Sequence, residues 1–110
     1  MIQIAIWKNS FSEVRALEVK GHAGQAPYGK DIVCAAVSAL AQTAVLALEK
    51  EVKEGFELKK RQGYIYLEII TKNRKEKEKA VFILSAICLG LEEIGRDYQS
   101  YVSVEYKTMR

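Results

Sequence analysis

Proline, histidine and cysteine are almost missing from this 110-residue chain, which holds one Pro, one His and two Cys. Two cysteines cannot build the disulfide framework of a small secreted module, and with a single histidine they cannot complete a four-ligand zinc site without carboxylates. One Pro and seven Gly exclude collagen-like and linker-like character. An excess of one charge is lacking too. Seventeen Lys and Arg against fourteen Asp and Glu leave +3, too little to argue nucleic-acid binding by itself. Residues 1–7 have no basic region ahead of them and meet Lys8-Asn9-Ser10 at once, so no targeting signal is expected.

What is present is a hydrophobic fraction of 49%, ordinary for a globular protein and too high for a disordered tail. The length fits one domain over residues 1–110 with a single core. Residues 32–48 form the longest stretch without a charge, seventeen residues, at the lower edge of what crosses a membrane. Ser38, Gln42 and Thr43 interrupt it, seven of the remaining residues are Ala or Cys, and Asp31 and Glu49-Lys50 bound it with no aromatic belt. It reads as a buried helix, in a soluble, cytoplasmic protein with reduced thiols.

Ile2, Ile4 and Ile6 alternate with Gln3, Ala5 and Trp7, the period of a half-buried strand. Asn9-Ser10 turns the chain into a second strand, whose alternation slips once between Val14 and Val19, as a bulge would cause. Residues 21–30 concentrate three Gly and the sole Pro, which marks a loop. Asp31 then stands where an N-cap should, and Gly55 where the helix should stop. Residues 56–60 and 64–70 read as a hairpin turning at Gln62-Gly63. The mixed-charge run 72–79 leads into a second helix, with Ala80, Leu84, Ile87, Leu91 and Ile94 as its apolar stripe and Gly95 as its stop. Val102 and Val104 start a last strand. The order is β-β-α-β-β-α-β, an α+β fold with a mixed sheet and both helices on one face. The first helix is apolar on nearly every side, so a second helix or a partner subunit must cover what the sheet does not.

The stretch 21–40 carries the chemistry. It places the only histidine, His22, at a strand end and Cys34 three residues past Asp31. Free amides and the positive dipole end of a first helical turn stabilise a thiolate and can receive an oxyanion. A neighbouring imidazole can act as base and then as acid. Ser38, one turn beyond Cys34, shares its face. The plainer reading is also open: a Cys in an Ala- and Val-rich helix is usually a small buried hydrophobe, and a lone His at a strand end a surface residue. Position favours the thiol site, whereas Cys88, mid-helix beside Ile87 and Leu91, reads as core. Gly21-His22-Ala23-Gly24 precedes a helix but lacks the spacing and Lys-Ser/Thr of a P-loop. Lys59-Lys60-Arg61 and the 72–79 run can touch RNA phosphates, yet the run interleaves Glu76 and Glu78 as a solvated face does. Tyr64 and Tyr66 have no RNP-type surroundings.

Gly21-His22-Ala23-Gly24, then Gly29, then Asp31-Ile32-Val33-Cys34-Ala35-Ala36-Val37-Ser38 closely resembles the signature of the ribosomal-processing cysteine protease family, Prp. The chain length and element order resemble that family as well. The resemblance implies an endopeptidase that removes the N-terminal extension of large-subunit ribosomal protein twenty-seven, with Cys34 as nucleophile and His22 as general base and acid. Asp31 and Ser38 would support the pair, and Gly21, Gly24, Tyr28 and Gly29 would belong to a loop over the bound peptide. It implies no metal and no organic cofactor, a homodimer, and a ribosomal protein substrate, with no membrane attachment and no direct nucleic-acid binding expected. Family loops often carry aromatic or acidic residues after His-Ala-Gly, where this chain has Gln25, Ala26 and Pro27. The rival readings are a non-enzymatic ribosome- or RNA-binding module using Lys59, Lys60, Arg61 and the 72–79 run, a thiol enzyme acting on small esters, and a purely structural dimer.

Overall fold

A computed structural model describes residues 1–21 and 28–109, with residues 28–31 described by their backbone alone. The elements are β1 (Ile2–Lys8), β2 (Val14–Lys20), α1 (Tyr28–Glu51), β3 (Phe56–Arg61), β4 (Tyr64–Ile69), α2 (Arg74–Asp97) and β5 (Val102–Thr108). The order is the expected β-β-α-β-β-α-β. The five strands form one mixed sheet, β3-β4-β2-β1-β5, antiparallel throughout except for the parallel β1–β5 pair.

Pairing explains how the alternating residues sort. Ile4 lies opposite Val19, Ile6 opposite Leu17, and Leu67 opposite Leu17 and Leu58, so one face is apolar across the sheet. The expected slip in β2 is real. Trp7 pairs with Ala16 but Lys8 with Val14, leaving Arg15 as the extra residue of a bulge. That bulge returns Val14 to the apolar face, where it is buried. At the far hairpin Gly63 takes φ +72°, the left-handed conformation a two-residue turn needs.

Both helices cover this face. The α2 stripe is the predicted one, with Ala80, Leu84, Ile87, Cys88 and Leu91 buried and Ile94 packed at its margin. Asn73 caps the helix, its side-chain oxygen accepting from the Glu76 amide at 3.0 Å. The 72–79 run is, as expected, a loop entering an exposed first turn, where Arg74 pairs with Glu78 at 3.3 Å. Helix α1 is long and apolar enough, by length and composition alone, to cross a membrane. Here Val33, Val37, Ala41, Ala44, Val45 and Leu48 are buried in the common core instead.

Three helix ends differ from expectation. Helix α1 begins at Tyr28, so Asp31 is its fourth residue and not its N-cap. It ends at Glu51, where Lys53 takes the left-handed conformation at φ +55°. Gly55 serves packing rather than capping, since a Cβ there would lie 2.6 Å from Val52 Cγ1 and 2.8 Å from Thr71 Cβ. Likewise Gly95 does not stop α2, which runs on to Asp97. Its missing side chain seats β5, because a Cβ would meet Val104 Cγ2 at 2.8 Å.

Among the described residues of the core Cys88 is the one that can ionise, and burial, with Glu92 nearby, pushes its thiol up to about 12. The folded state therefore keeps the proton that the unfolded chain releases above roughly pH 8.5, so stability is full below that pH and falls as pH rises towards the folded value. Between pH 8 and 10, wild type should lose about 1–2 kcal/mol more than Cys88→Val in denaturant titrations. Parallel pH dependence of the two proteins would contradict a buried, protonated thiol.

Candidate active site

The sheet-facing side of α1 does not close onto the sheet along its whole length. Cys34, Ser38 and Gln42 follow one another at four-residue spacing and border a groove of about 720 Å³. Ile2, Val19 and Ile65 supply its apolar sheet side. The β3–β4 hairpin supplies the opposite rim, with Lys60, Arg61, Gln62, Gly63 and Tyr64. Cys34 is half-buried and Ser38 exposed, so both side chains belong to the groove wall rather than to the core.

Gly21 connects the sheet to the loop that follows. Its φ of +78° is left-handed, and its amide donates to the Gly63 carbonyl at 3.1 Å. A Cβ there would lie 2.7 Å from the Met1 carbonyl oxygen, so only glycine turns this corner without strain. Gly21 itself borders the groove, and His22 is the next residue in the chain. His22 and Gly24 lie outside the described residues. Tyr28 and Gly29, expected in the loop, are the first two residues of α1. Cys34 is thus the seventh residue of the helix, one turn deeper than expected. It lies past the four amides a helix leaves unpaired, and the dipole's effect has largely faded there. The site therefore depends on the groove more than on the helix terminus.

Electrostatically the groove is one-sided. Among its described lining residues are two cations, Lys60 and Arg61, and no carboxylate. The Arg61 guanidinium lies 4.0 Å from the centre of the Tyr64 ring. The Tyr64 hydroxyl donates to Glu18 at 2.7 Å, a bond that raises its pKa by favouring the protonated form. Across the groove, Lys60 Nζ donates to Gln42 Oε1 at 3.0 Å. Lys59, Lys60 and Arg61 are consecutive in sequence, a short basic run of the kind that can touch RNA phosphates. The fold separates them: Lys59 pairs with Glu57 at 3.7 Å and lies over the Tyr66 ring, whereas Lys60 and Arg61 join the groove. Tyr66 packs edge-on against Trp7, with ring centroids 5.7 Å apart, and donates its hydroxyl to Glu68. Its ring is therefore engaged by neighbouring side chains.

A half-buried thiol on the wall of an open groove in an α+β fold fits the class of cysteine-dependent hydrolases. Comparisons with known proteins narrow it. Residues 1–103 match the family model for the cysteine protease Prp. The ribosomal processing cysteine protease Prp of Bacillus subtilis is 34% identical, with 94% of this chain and 96% of that protein aligned. Among solved structures, the Staphylococcus aureus ribosomal processing protease Prp with a covalently linked product peptide superposes with a TM-score of 0.81 at 28% identity, covering 97% of this chain and all of that one. Streptococcus mutans SMU.848 superposes with a TM-score of 0.82 at 29% identity over 99% and 96% of the two chains. The chain belongs to the Prp family of cysteine proteases.

The two thiols should differ sharply in reactivity. At pH 8 in the native state, iodoacetamide should add once per chain, at Cys34, and reach Cys88 only after unfolding, as mapped by peptide mass spectrometry. Equal labelling of both would contradict the contrast between groove and core.

Proposed function

We propose that this protease removes the N-terminal extension of large-subunit ribosomal protein twenty-seven, with Cys34 as nucleophile and His22 as general base. The observation that carries this reading is the placement of Cys34 on the groove wall, with His22 directly following the groove residue Gly21, in a member of a ribosomal-processing protease family. The peptide lies in the groove below α1. His22 takes the thiol proton and the sulfur attacks the scissile carbonyl, so a C–S bond forms. The C–N bond then breaks as the imidazolium gives its proton to the leaving amine. Water, deprotonated by His22, releases the acyl group as a carboxylic acid and restores the thiol. Ser38, one turn along the same row, offers a hydroxyl to the carbonyl oxygen. Asp31, the fourth residue of α1 rather than its cap, supports the pair in this reading. The substrate places the enzyme in the cytoplasm, where ribosomes assemble.

Intact-mass spectrometry of the extended ribosomal protein after incubation should show a single N-terminal loss with wild type. The loss should fall by at least about a thousandfold in rate with Cys34→Ala or His22→Ala, the scale on which members of a nucleophile–base pair act. Cleavage by Cys34→Ala at the wild-type rate would refute the mechanism.

The second part of the reading is a homodimer. Ile32 and Leu46 on α1 are 52% and 65% exposed, and Phe82 and Leu89 on α2 are 76% and 68% exposed. These large side chains lie along the outer surface of the helix layer, and a second copy would cover them as obligate interfaces do. Sedimentation equilibrium should give a dimer for wild type and a monomer for Leu46→Glu/Phe82→Glu. A wild-type monomer at tens of micromolar would remove this part.

A further inference from the structure

The net charge of the chain is concentrated in one short segment. Residues 72–79 hold five of the seventeen Lys and Arg and two of the fourteen Asp and Glu, an excess of three. The rest of the chain holds twelve of each sign, so the whole +3 belongs to this run. Glu76 and Glu78 make the run look self-neutralised in sequence, but the fold engages both. Glu78 Oε1 accepts from Arg74 Nε at 3.3 Å. Glu76 Oε1 accepts from the Thr71 hydroxyl at 3.4 Å. Among the described residues, Lys72, Lys75, Lys77 and Lys79 form no salt bridge. Lys75 and Lys79, both exposed, lie one turn apart on the same face of α2.

The run also lies where a partner leaves the groove open. Strand β4 starts at the groove with Tyr64 and ends at Ile69, roughly 17 Å away at about 3.3 Å per residue. The run begins beyond that end, and none of its residues lines the groove. Backbone contacts hold it in place, with Ile70 and Thr71 both donating to the Gly55 carbonyl, at 3.0 and 2.9 Å, and Asn73 capping the helix. A cation cluster on an ordered scaffold fits a polyanion, and two properties say which kind. Residues 72–79 include no apolar side chain to enter a bilayer and no aromatic ring to stack an unpaired base. What remains is a row of backbone phosphates on a duplex, whose contact with lysines releases counterions. We propose that residues 72–79 form a docking surface for the phosphate backbone of duplex RNA. The choice of RNA rests on the ribosomal-protein reading of the groove, because ribosomal proteins assemble on RNA, whereas the phosphate chemistry stands without that reading.

Fluorescence anisotropy with a labelled RNA duplex of about 16 base pairs tests the surface, with a peptide-cleavage assay run alongside on the same proteins. Wild type should bind with a Kd on the order of 10 μM at about 50 mM salt, and three or four phosphate contacts should weaken that roughly 15- to 100-fold at about 200 mM. Lys75→Glu/Lys79→Glu should lower affinity at least about tenfold and flatten the salt dependence by nearly two contacts. Lys75→Arg/Lys79→Arg should bind as wild type does. Lys59 and Lys107 lie over the Tyr66 and Trp7 rings of the sheet, so Lys59→Glu/Lys107→Glu makes an equal charge change elsewhere and should lower affinity less than about threefold. The Lys75 and Lys79 changes should leave kcat/KM on a short peptide unaltered, since neither residue lines the groove. Absence of duplex binding at about 50 mM salt, or equal losses in the two charge-reversed proteins, overturns the surface and leaves the protease reading standing. Duplex binding by a wild type that cuts no peptide removes the protease reading and leaves phosphate docking in place.

Discussion

Helix α1 has more apolar circumference than a five-stranded sheet can cover, and the arrangement of the molecule follows from how that surface is shared. One side joins the core through Val33, Val37, Ala41, Ala44, Val45 and Leu48. Another lies against α2, where Gly90 admits Leu40 so closely that a Cβ would be 2.9 Å from its Cδ1. A third side overhangs the sheet without sealing it, and the resulting groove is where Cys34, Ser38 and Gln42 lie. The outer side keeps Ile32 and Leu46 exposed. Packing and chemistry are thus separated by angle around a single helix, and a change in its tilt would close the groove or open the core.

The groove has a second fixed point at Gly21. Its left-handed backbone, its hydrogen bond to Gly63 and its close approach to the Met1 carbonyl join three chain segments at one corner. Gly21, at the end of β2, is thereby held beside the Gln62-Gly63 turn and next to the cationic rim. This gives the site a rigid side, β1, β2 and the Gln62-Gly63 turn, opposite a helix wall carrying the thiol. Rigid positioning of this sort lets a small protein hold a peptide in register without a large interface.

The legible parts of the sequence were those governed by local physics. Strand alternation, the bulge at Arg15, the Gln62-Gly63 turn and the α2 stripe follow from periods of 2 and 3.6 and from turn chemistry. The Cys34–Ser38 row on one helix face was legible for the same reason, and the Gly-His-Ala-Gly to Cys spacing carried the family resemblance. The misread parts were those where a residue type has two uses. Asp31 is a good cap by type, but the helix starts earlier at Tyr28. Gly55 and Gly95 stand where terminators stand, yet both make room for other segments, Thr71 and Val104. Lys60 and Arg61 read as part of a basic run because nothing local reveals that β3 returns along α1; only the sheet order brings them to the groove.

The central claim is that Cys34 forms the covalent bond to substrate, and the most direct measurement is to catch it. Rapid acid quench of wild-type enzyme turning over a peptide ester, followed by peptide mapping, should show an acyl adduct on Cys34 that accumulates within the first turnover and disappears as substrate is exhausted. An adduct on any other residue, or steady cleavage with no adduct on Cys34, would contradict it.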